Sequence, residues 1–244
     1  RSVLFGLPVQ QCWNYAEMGD TPPTYYMMSD ASLYYYSFTD AYLAMQYRSL
    51  DANGRARFDP MITGFNPADM FAADHVRRVL TTFPGVFCGL GEFSVIKEFV
   101  SSKIAGEKAT LGNPALGRLL ETADVLLSNL RPSALERLGL SPADVRERWP
   151  KLVLCTVTAY GWGGPDQERA GYDLAGFFGR AGVAAAVTTQ GTPPPAMWSG
   201  FGDTFTAMTA VAGISAALVE RATSGRGRHV EASLLRTGMW ALAG

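Results

Sequence analysis

The sequence predicts an α/β protein built on a mostly parallel sheet with crossover helices. Short, fully apolar segments bounded by Gly, Pro or polar residues recur along the chain, as buried parallel strands do. Between them lie segments with apolar residues at helical spacing, opened or closed by Ser, Asp, Pro or Gly. The 244 residues are 48% apolar and 18% charged, enough to bury a core in one large domain or two small ones.

The elements follow in order. Residues 2–9 form an apolar run closed by Pro8 and polar residues, a first strand. A segment rich in Tyr and Met (Tyr25, Tyr26, Met27, Met28, Tyr34, Tyr35, Tyr36) follows Pro22-Pro23 and reads as a satellite core under a long loop, or as a pocket lining. Residues 37–50 have helical spacing. Residues 58–65 form a second strand, and Asn66-Pro67 opens a helix over 68–83 with Met70, Val76, Val79 and Leu80 inward and Arg77-Arg78 outward. Residues 86–93 form a third strand, so the order is that of a parallel sheet with crossovers. After a polar stretch come a helix over 114–122, a strand over 124–129 and a helix over 133–138 closed by Gly139. Ser141 at the N-cap, Pro142 at the first helical position and Asp144 in the first turn open the next helix. A fully apolar strand over 152–158 runs into Gly161-Trp162-Gly163-Gly164. Asp203 is placed to cap a long core helix ending near Ala222, and a basic turn, 224–228, leads to a last strand over 230–233.

Composition excludes several classes. The net charge is −1, with 10 basic and 11 acidic residues up to Arg118 and 11 of each beyond it, which argues against nucleic-acid or membrane-surface partners. The apolar stretch 205–219 is broken by Thr206, Thr209 and Ser215 and falls short of the roughly 20 residues that span a bilayer, so it reads as a core helix. Cys12, Cys88 and Cys155 are odd in number and widely spaced, as expected of reduced, buried thiols in a cytoplasmic protein. No signal peptide is visible, and the start at Arg1 without an initiator Met reads as a fragment or a processed piece.

Two places could carry chemistry. Glu92 ends the third strand, on the face where parallel sheets place function, and could ligate a metal or pair with Lys97. Gly89-Leu90-Gly91 lacks the third glycine of a dinucleotide fingerprint. His75 and His229 are the only histidines, too few for a histidine-rich metal site, and His75 beside Arg77-Arg78 is expected at the surface. Asp173 ends the irregular loop from Gly161 and begins an apolar helix over 174–180. The helix N-terminus favours its ionised form, which suits a carboxylate nucleophile as well as an ordinary cap. The loop glycines allow close approach of a substrate or simply make turns. Arg131, and with it Arg226 and Arg228, could meet phosphates or face solvent.

From about Glu121 to Gly244 the chain resembles the family III CoA-transferases, the group that includes formyl-CoA transferase, carnitine CoA-transferase and α-methylacyl-CoA racemase. The matching stretches are 123–132, Leu135-Glu136-Arg137-Leu138-Gly139-Leu140, 150–153, Gly161-Trp162-Gly163-Gly164-Pro165, Gly171-Tyr172-Asp173-Leu174, Gly202-Asp203 and 225–234. The resemblance implies that Asp173 attacks an acyl-CoA thioester. It implies further a mixed anhydride, then an aspartyl-CoA thioester, with CoA, a substrate, passing to a second carboxylic acid. It gives Tyr172 a role in shaping the site, borders CoA with Gly163, Gly164 and Arg131, and implies an intertwined homodimer. The racemase branch usually has His before the Asp; Tyr172 stands here, which favours transferase.

From Arg1 to about Arg118 the chain resembles a TIM-barrel amidohydrolase-like family, on residues 2–10, the Tyr-rich segment, 57–67 and the stretch from Gly91-Glu92-Phe93 to Gly106. That resemblance implies a divalent metal, with Glu92 as a ligand, in a metal-dependent hydrolase. Ile96 stands where such sequences carry His, and the His-x-His of their first strand is missing. The whole reads as a mosaic of a partial TIM-barrel-like half, 1–118, and a partial Rossmann-like CoA-transferase half, 119–244. The expected activity is CoA transfer between an acyl-CoA and a carboxylic acid. The alternatives are the metal-dependent hydrolase and a catalytically inactive chimera.

Overall fold

A computed structural model of the chain describes residues 2–5, 38–65, 67, 70–91 and 114–243. The Tyr-rich segment, Cys12, Asn66, Ile96, Lys97 and Glu92 lie outside the described residues. The chain divides into two compact units, Arg1–Ala123 and Asp124–Gly244, and each carries a three-stranded parallel sheet. The architecture is mixed α/β with parallel sheets.

In the first unit the sheet is ordered β1 (Ser2–Phe5), β2 (Phe58–Ile62), β3 (Gly89–Leu90), with Ser2 opposite Phe58 and Met61 opposite Gly89. Helices α1 (Phe38–Ser49) and α2 (Ala52–Arg55) lead into β2, and α3 (Ala72–Thr82) leads into β3; α4 (Pro114–Leu120) follows. Asp51 caps α2 by accepting the Gly54 N–H at 2.6 Å. The apolar stripe of α3 is Ala72, Val76 and Val79, and His75 falls within it. His75 is therefore buried, not at the surface as expected, because one turn of helix separates it from both Ala72 and Val79. Its Nε2 lies 3.0 Å from Oδ2 of Asp40, itself fully buried on α1. Leu80, expected inward, is exposed, since it lies about 100° round the helix from Val79. Cys88 is also exposed, with its thiol donating to the Pro60 carbonyl; only Cys155 of the described cysteines is buried.

In the second unit the order is β4 (Val125–Ser128), β5 (Val153–Thr158), β6 (His229–Ser233), with Val125 opposite Val153 and Thr158 opposite Ser233. The fully apolar run becomes the central strand, in which Val153, Leu154, Cys155 and Thr156 are all buried. Between β4 and β5 lie α5 (Pro132–Arg137) and α6 (Pro142–Arg148), the latter opened by a complete capping box in which Ser141 and Asp144 each bond the other's backbone N–H. After β5 come a π-helix (Leu174–Arg180), α7 (Val183–Ala186), α8 (Phe201–Ser224) and, after β6, α9 (Leu234–Ala241). Helix α8 lies on β5 and β6, with Ala210 packed against Cys155 and Ala232. Gly213 allows that fit, and Gly227 lets the turn after α8 pass close to the chain before β5. A Cβ on Gly213 would come within 2.5 Å of Val230, and one on Gly227 within 2.0 Å of the Leu152 carbonyl oxygen.

The expected core helix needs two corrections. It runs for 24 residues, and only Gly202, Thr206, Ala210 and Ala217 are buried, while Phe205, Met208, Val211 and Val219 are exposed. A single sheet face covers one stripe of a helix, and this helix is apolar on more than one. The N-cap is Gly200, in a left-handed conformation (φ 78°) without a side-chain cap bond; Asp203 lies inside the first turn.

Candidate active site

The C-terminal end of β5 leads into the loop that carries Asp173, on the side where an open α/β sheet offers its crevice. Past Thr158 the chain turns at Gly161 (φ 86°), whose N–H donates to the Thr158 hydroxyl at 3.0 Å, and the Trp162 N–H donates to Oε1 of Glu231 at 2.9 Å. Arg236 pairs with the same Glu231 at 3.1 Å, tying α9 to the loop. His229, on β6, shares a 2.8 Å hydrogen bond with the Thr156 hydroxyl and meets the Trp162 ring edge-on. Burial lowers its pKa, opposed by the charge of Glu231.

The loop returns through Gly171 and Tyr172 to the π-helix, which packs directly on the strand end. A Cβ on Gly176 would sit 2.8 Å from Cβ of Leu234 and 3.1 Å from the Ala159 carbonyl oxygen. The Ala181 N–H reaches back five residues to the Gly176 carbonyl, the wide turn that two glycines, Gly176 and Gly179, make easy. Phe177 and Phe178 fill the space beneath, against Leu234, Val183, Met197 and Phe201.

Asp173 stands at the start of this helix and is 4% exposed. Its Oδ1 accepts the Leu174 N–H at 2.7 Å, and its Oδ2 accepts the Gly200 N–H, at the head of α8, at 2.6 Å. Gly202 makes this approach possible: a Cβ there would lie 2.6 Å from Cβ of Phe177 and 3.1 Å from Cβ of Asp173. A second carboxylate, Asp203, occupies the same helix turn. Loss of hydration and then the charge of Asp173 push its pKa up. The result is a buried carboxylate with fixed orientation, gripped by backbone from two elements and placed beside an apolar cluster.

The other residues singled out from the sequence have surroundings of their own. Tyr172 is 85% exposed, next to Asp173. Gly163 (φ 77°) is exposed, its N–H donates to Gln167 at 2.8 Å, and among the described residues beyond their chain neighbours neither it nor Gly164 has an atom within 4 Å of where a Cβ would stand. Arg131 is exposed and donates through Nη1 to the Glu168 carbonyl at 3.0 Å. Glu168 in turn accepts the hydroxyl and N–H of Ser133, and those two bonds hold its carboxyl below the usual range. Arg228 pairs with Glu220 instead of standing open. Gly200 was not singled out from the sequence. The Ser199-Gly200-Phe201-Gly202-Asp203 spacing hints at a helix start, but a backbone donor to a residue 27 positions earlier has no signature in it. Among the described residues no group of three or more His, Cys, Asp or Glu is placed to hold a metal ion.

Comparison with known proteins agrees on one family. A sequence profile of CoA-transferase family III matches residues 108–244. The chain is 38% identical over 135 residues, 55% of its length, to the cinnamoyl-CoA:phenyllactate CoA-transferase of Clostridium sporogenes, and covers 33% of that protein. It is 33% identical over 135 residues, again 55% of its length, to the (R)-2-hydroxy-4-methylpentanoate CoA-transferase of Clostridioides difficile, covering 34% of it. The chain thus spans about a third of the length of these relatives. Among solved structures, the orthorhombic form of Rv3272 from M. tuberculosis superposes with a TM-score of 0.50 at 27% identity, over 64% of this chain and 39% of that one. The profile match covers more than half of the residues and includes the whole of the Asp173 site. The chain belongs to CoA-transferase family III.

Proposed function

We propose that the second unit carries the nucleophile of an enzyme that moves CoA between an acyl-CoA and a carboxylic acid, and that Asp173 is this nucleophile. The observation that carries the reading is the buried Asp173 carboxylate, oriented by two backbone N–H groups inside the stretch that matches the family. A carboxylate fixed in this way can add to a thioester carbonyl without first reorganising. CoA enters as a substrate, and its transfer passes through an aspartyl-CoA thioester on Asp173. The open space before Gly163 and Gly164 suits the approach of a pantetheine arm, exposed Arg131 suits a phosphate, and Tyr172 borders the acyl group. The activities for which the two clostridial relatives are named make 2-hydroxy acids the first acceptors to try. We place the protein in the cytoplasm and propose that it works as a homodimer.

The test mixes the protein with cinnamoyl-CoA and phenyllactate and follows phenyllactyl-CoA. The expected result is turnover that Asp173→Asn abolishes while a cooperative thermal transition, raised by CoA, persists in both proteins. Unchanged turnover in the variant would overturn the reading. A broad transition indifferent to CoA would favour a catalytically inactive chimera.

For residues 1–118 a second reading has one observation in its favour. The order β1-β2-β3, consecutive and all parallel, is the order of neighbouring strands in a TIM barrel. We propose that this part derives from an amidohydrolase-like barrel, with Glu92 as its candidate ligand for a divalent metal. Metal bound stoichiometrically in the purified protein and lost in Glu92→Gln would support it; a metal content unchanged by that substitution would overturn it.

A further inference from the structure

We infer that the backbone N–H of Gly200 decides which oxygen of Asp173 reacts: Oδ1 makes and breaks bonds, while Oδ2 stays on Gly200 and takes the negative charge whenever Cγ is attacked. The inference rests on the proposed reading of Asp173 as nucleophile and adds a positioning group to it.

The two carboxylate oxygens have unequal partners. Among the described residues Oδ1 accepts only from the adjoining peptide, the Leu174 N–H. Oδ2 accepts from Gly200, which belongs to another element and is held on its far side as well: its carbonyl receives both the Thr204 N–H and the Thr204 hydroxyl at 2.9 Å. The left-handed Gly200 (φ 78°) turns its N–H back toward Asp173, and the missing side chain of Gly202 lets the first turn of α8 lie flush on Phe177 and Asp173. The donor therefore belongs to packed backbone and is in place before reaction, the condition under which an oxyanion donor is most effective.

The chemistry uses this asymmetry in its second step. Oδ1 adds to the acyl carbon, the carbon–sulfur bond breaks, and CoA leaves as the thiolate, which gives a mixed anhydride. The thiolate then adds to Cγ, and the pair of the Cγ–Oδ2 double bond moves onto Oδ2. On collapse the Cγ–Oδ1 bond breaks, the acyl carboxylate departs with Oδ1, and Oδ2 is the carbonyl oxygen of the aspartyl-CoA thioester. Gly200 has little to offer the first step, which takes place on the substrate's carbon, and it serves every step at Cγ.

Replacing the Gly200 peptide bond by an ester, through glycolic acid incorporation, removes the N–H and leaves the chain otherwise unchanged. Each protein is mixed with cinnamoyl-CoA, quenched in acid and weighed intact, which separates the acyl adduct from the CoA adduct. The expected result is that the ester protein still gains the cinnamoyl adduct but forms the CoA adduct about 10²–10³-fold more slowly than the unaltered protein. Formation of the CoA adduct at an unaltered rate, or loss of both adducts together, would overturn the inference while leaving Asp173 as nucleophile in the unaltered protein. Absence of either adduct from Asp173 in the unaltered protein would overturn the reading and the inference with it. A second measurement needs no variant: with carbon-13 at Asp173 Cγ, the thioester carbonyl stretch should fall below that of a thioester without a hydrogen-bond donor. An unshifted band would contradict a donor at Oδ2.

Discussion

Among the described residues each unit of this chain buries one carboxylate against the backbone near the C-terminal end of a parallel strand, and the two are satisfied in different ways. Asp40 is fully buried and accepts from Thr63 N–H, from Gly64 N–H on both oxygens, and from His75 at 3.0 Å. A Cβ on Gly64 would come within 2.6 Å of its Oδ2. Among the described residues Asp173 has one backbone donor per oxygen, no histidine, and Asp203 as its charged neighbour. The first arrangement closes α1, the end of β2 and α3 onto one point and leaves the carboxylate no capacity for chemistry. The second fixes orientation while leaving lone pairs for a new bond. A buried Asp is thus a structural clasp or a candidate nucleophile according to how many donors surround it, not according to its burial.

Four substitutions sharpen that contrast, from the largest effect to the smallest. Asp40→Ala removes one partner of a buried pair and takes away the acceptor that the Thr63 N–H, the Gly64 N–H and His75 share, so chemical denaturation should show a loss of about 3–5 kcal/mol. A loss near 1 kcal/mol or below, in the range of a surface pair, would mean that Asp40 is not a clasp. Gly202→Ala inserts a methyl 2.6 Å from Phe177 and should cost about 1–3 kcal/mol, together with a fall in adduct formation as Gly200 is displaced from Asp173. Full adduct formation in that variant would separate the fit of α8 from the site. Ser141→Ala removes the capping box of α6 and should cost about 1 kcal/mol with no effect on the adduct.

The smallest effect is electrostatic. The folded state raises the pKa of Asp203, so ionising it works against folding. That penalty is absent below the ordinary carboxyl range, grows as the pH rises through the raised value, and is fully present at neutral pH. Asp203→Asn should therefore raise the thermal midpoint at pH 7, by no more than about 0.5 kcal/mol in stability because solvent screens an exposed group. The gain should vanish in mild acid. A variant less stable than the original at pH 7 would show that Asp203 is held by contacts that outweigh its repulsion from Asp173.

The residues that were legible in the sequence are those whose partners are local. Ser141, Pro142 and Asp144 announce their capping box within four positions, and the apolar run at 152–158 announces a central strand because nothing polar interrupts it. Asp173 was legible as the start of a helix, and its family motif pointed to the role proposed for it. His75 was misplaced because Arg77 and Arg78 drew attention to charge, whereas the helical phase set by Ala72, Val76 and Val79 decides its side. Its partner Asp40 is 35 positions away, and Gly200 is 27 from Asp173, separations over which a single sequence carries no pairing signal. The exposed face of α8 was missed for a related reason: apolar composition marks a helix as suited to burial but does not specify how much neighbouring surface exists to cover it.

The most direct test of the central claim is to trap the intermediate. The protein is incubated with cinnamoyl-CoA, treated with hydroxylamine and digested, and the peptide that contains Asp173 is sequenced by mass spectrometry. The account predicts a hydroxamate at Asp173, dependent on the acyl-CoA and missing in Asp173→Asn. Consumption of cinnamoyl-CoA with Asp173 unmodified, or with the hydroxamate on another carboxylate, would contradict it.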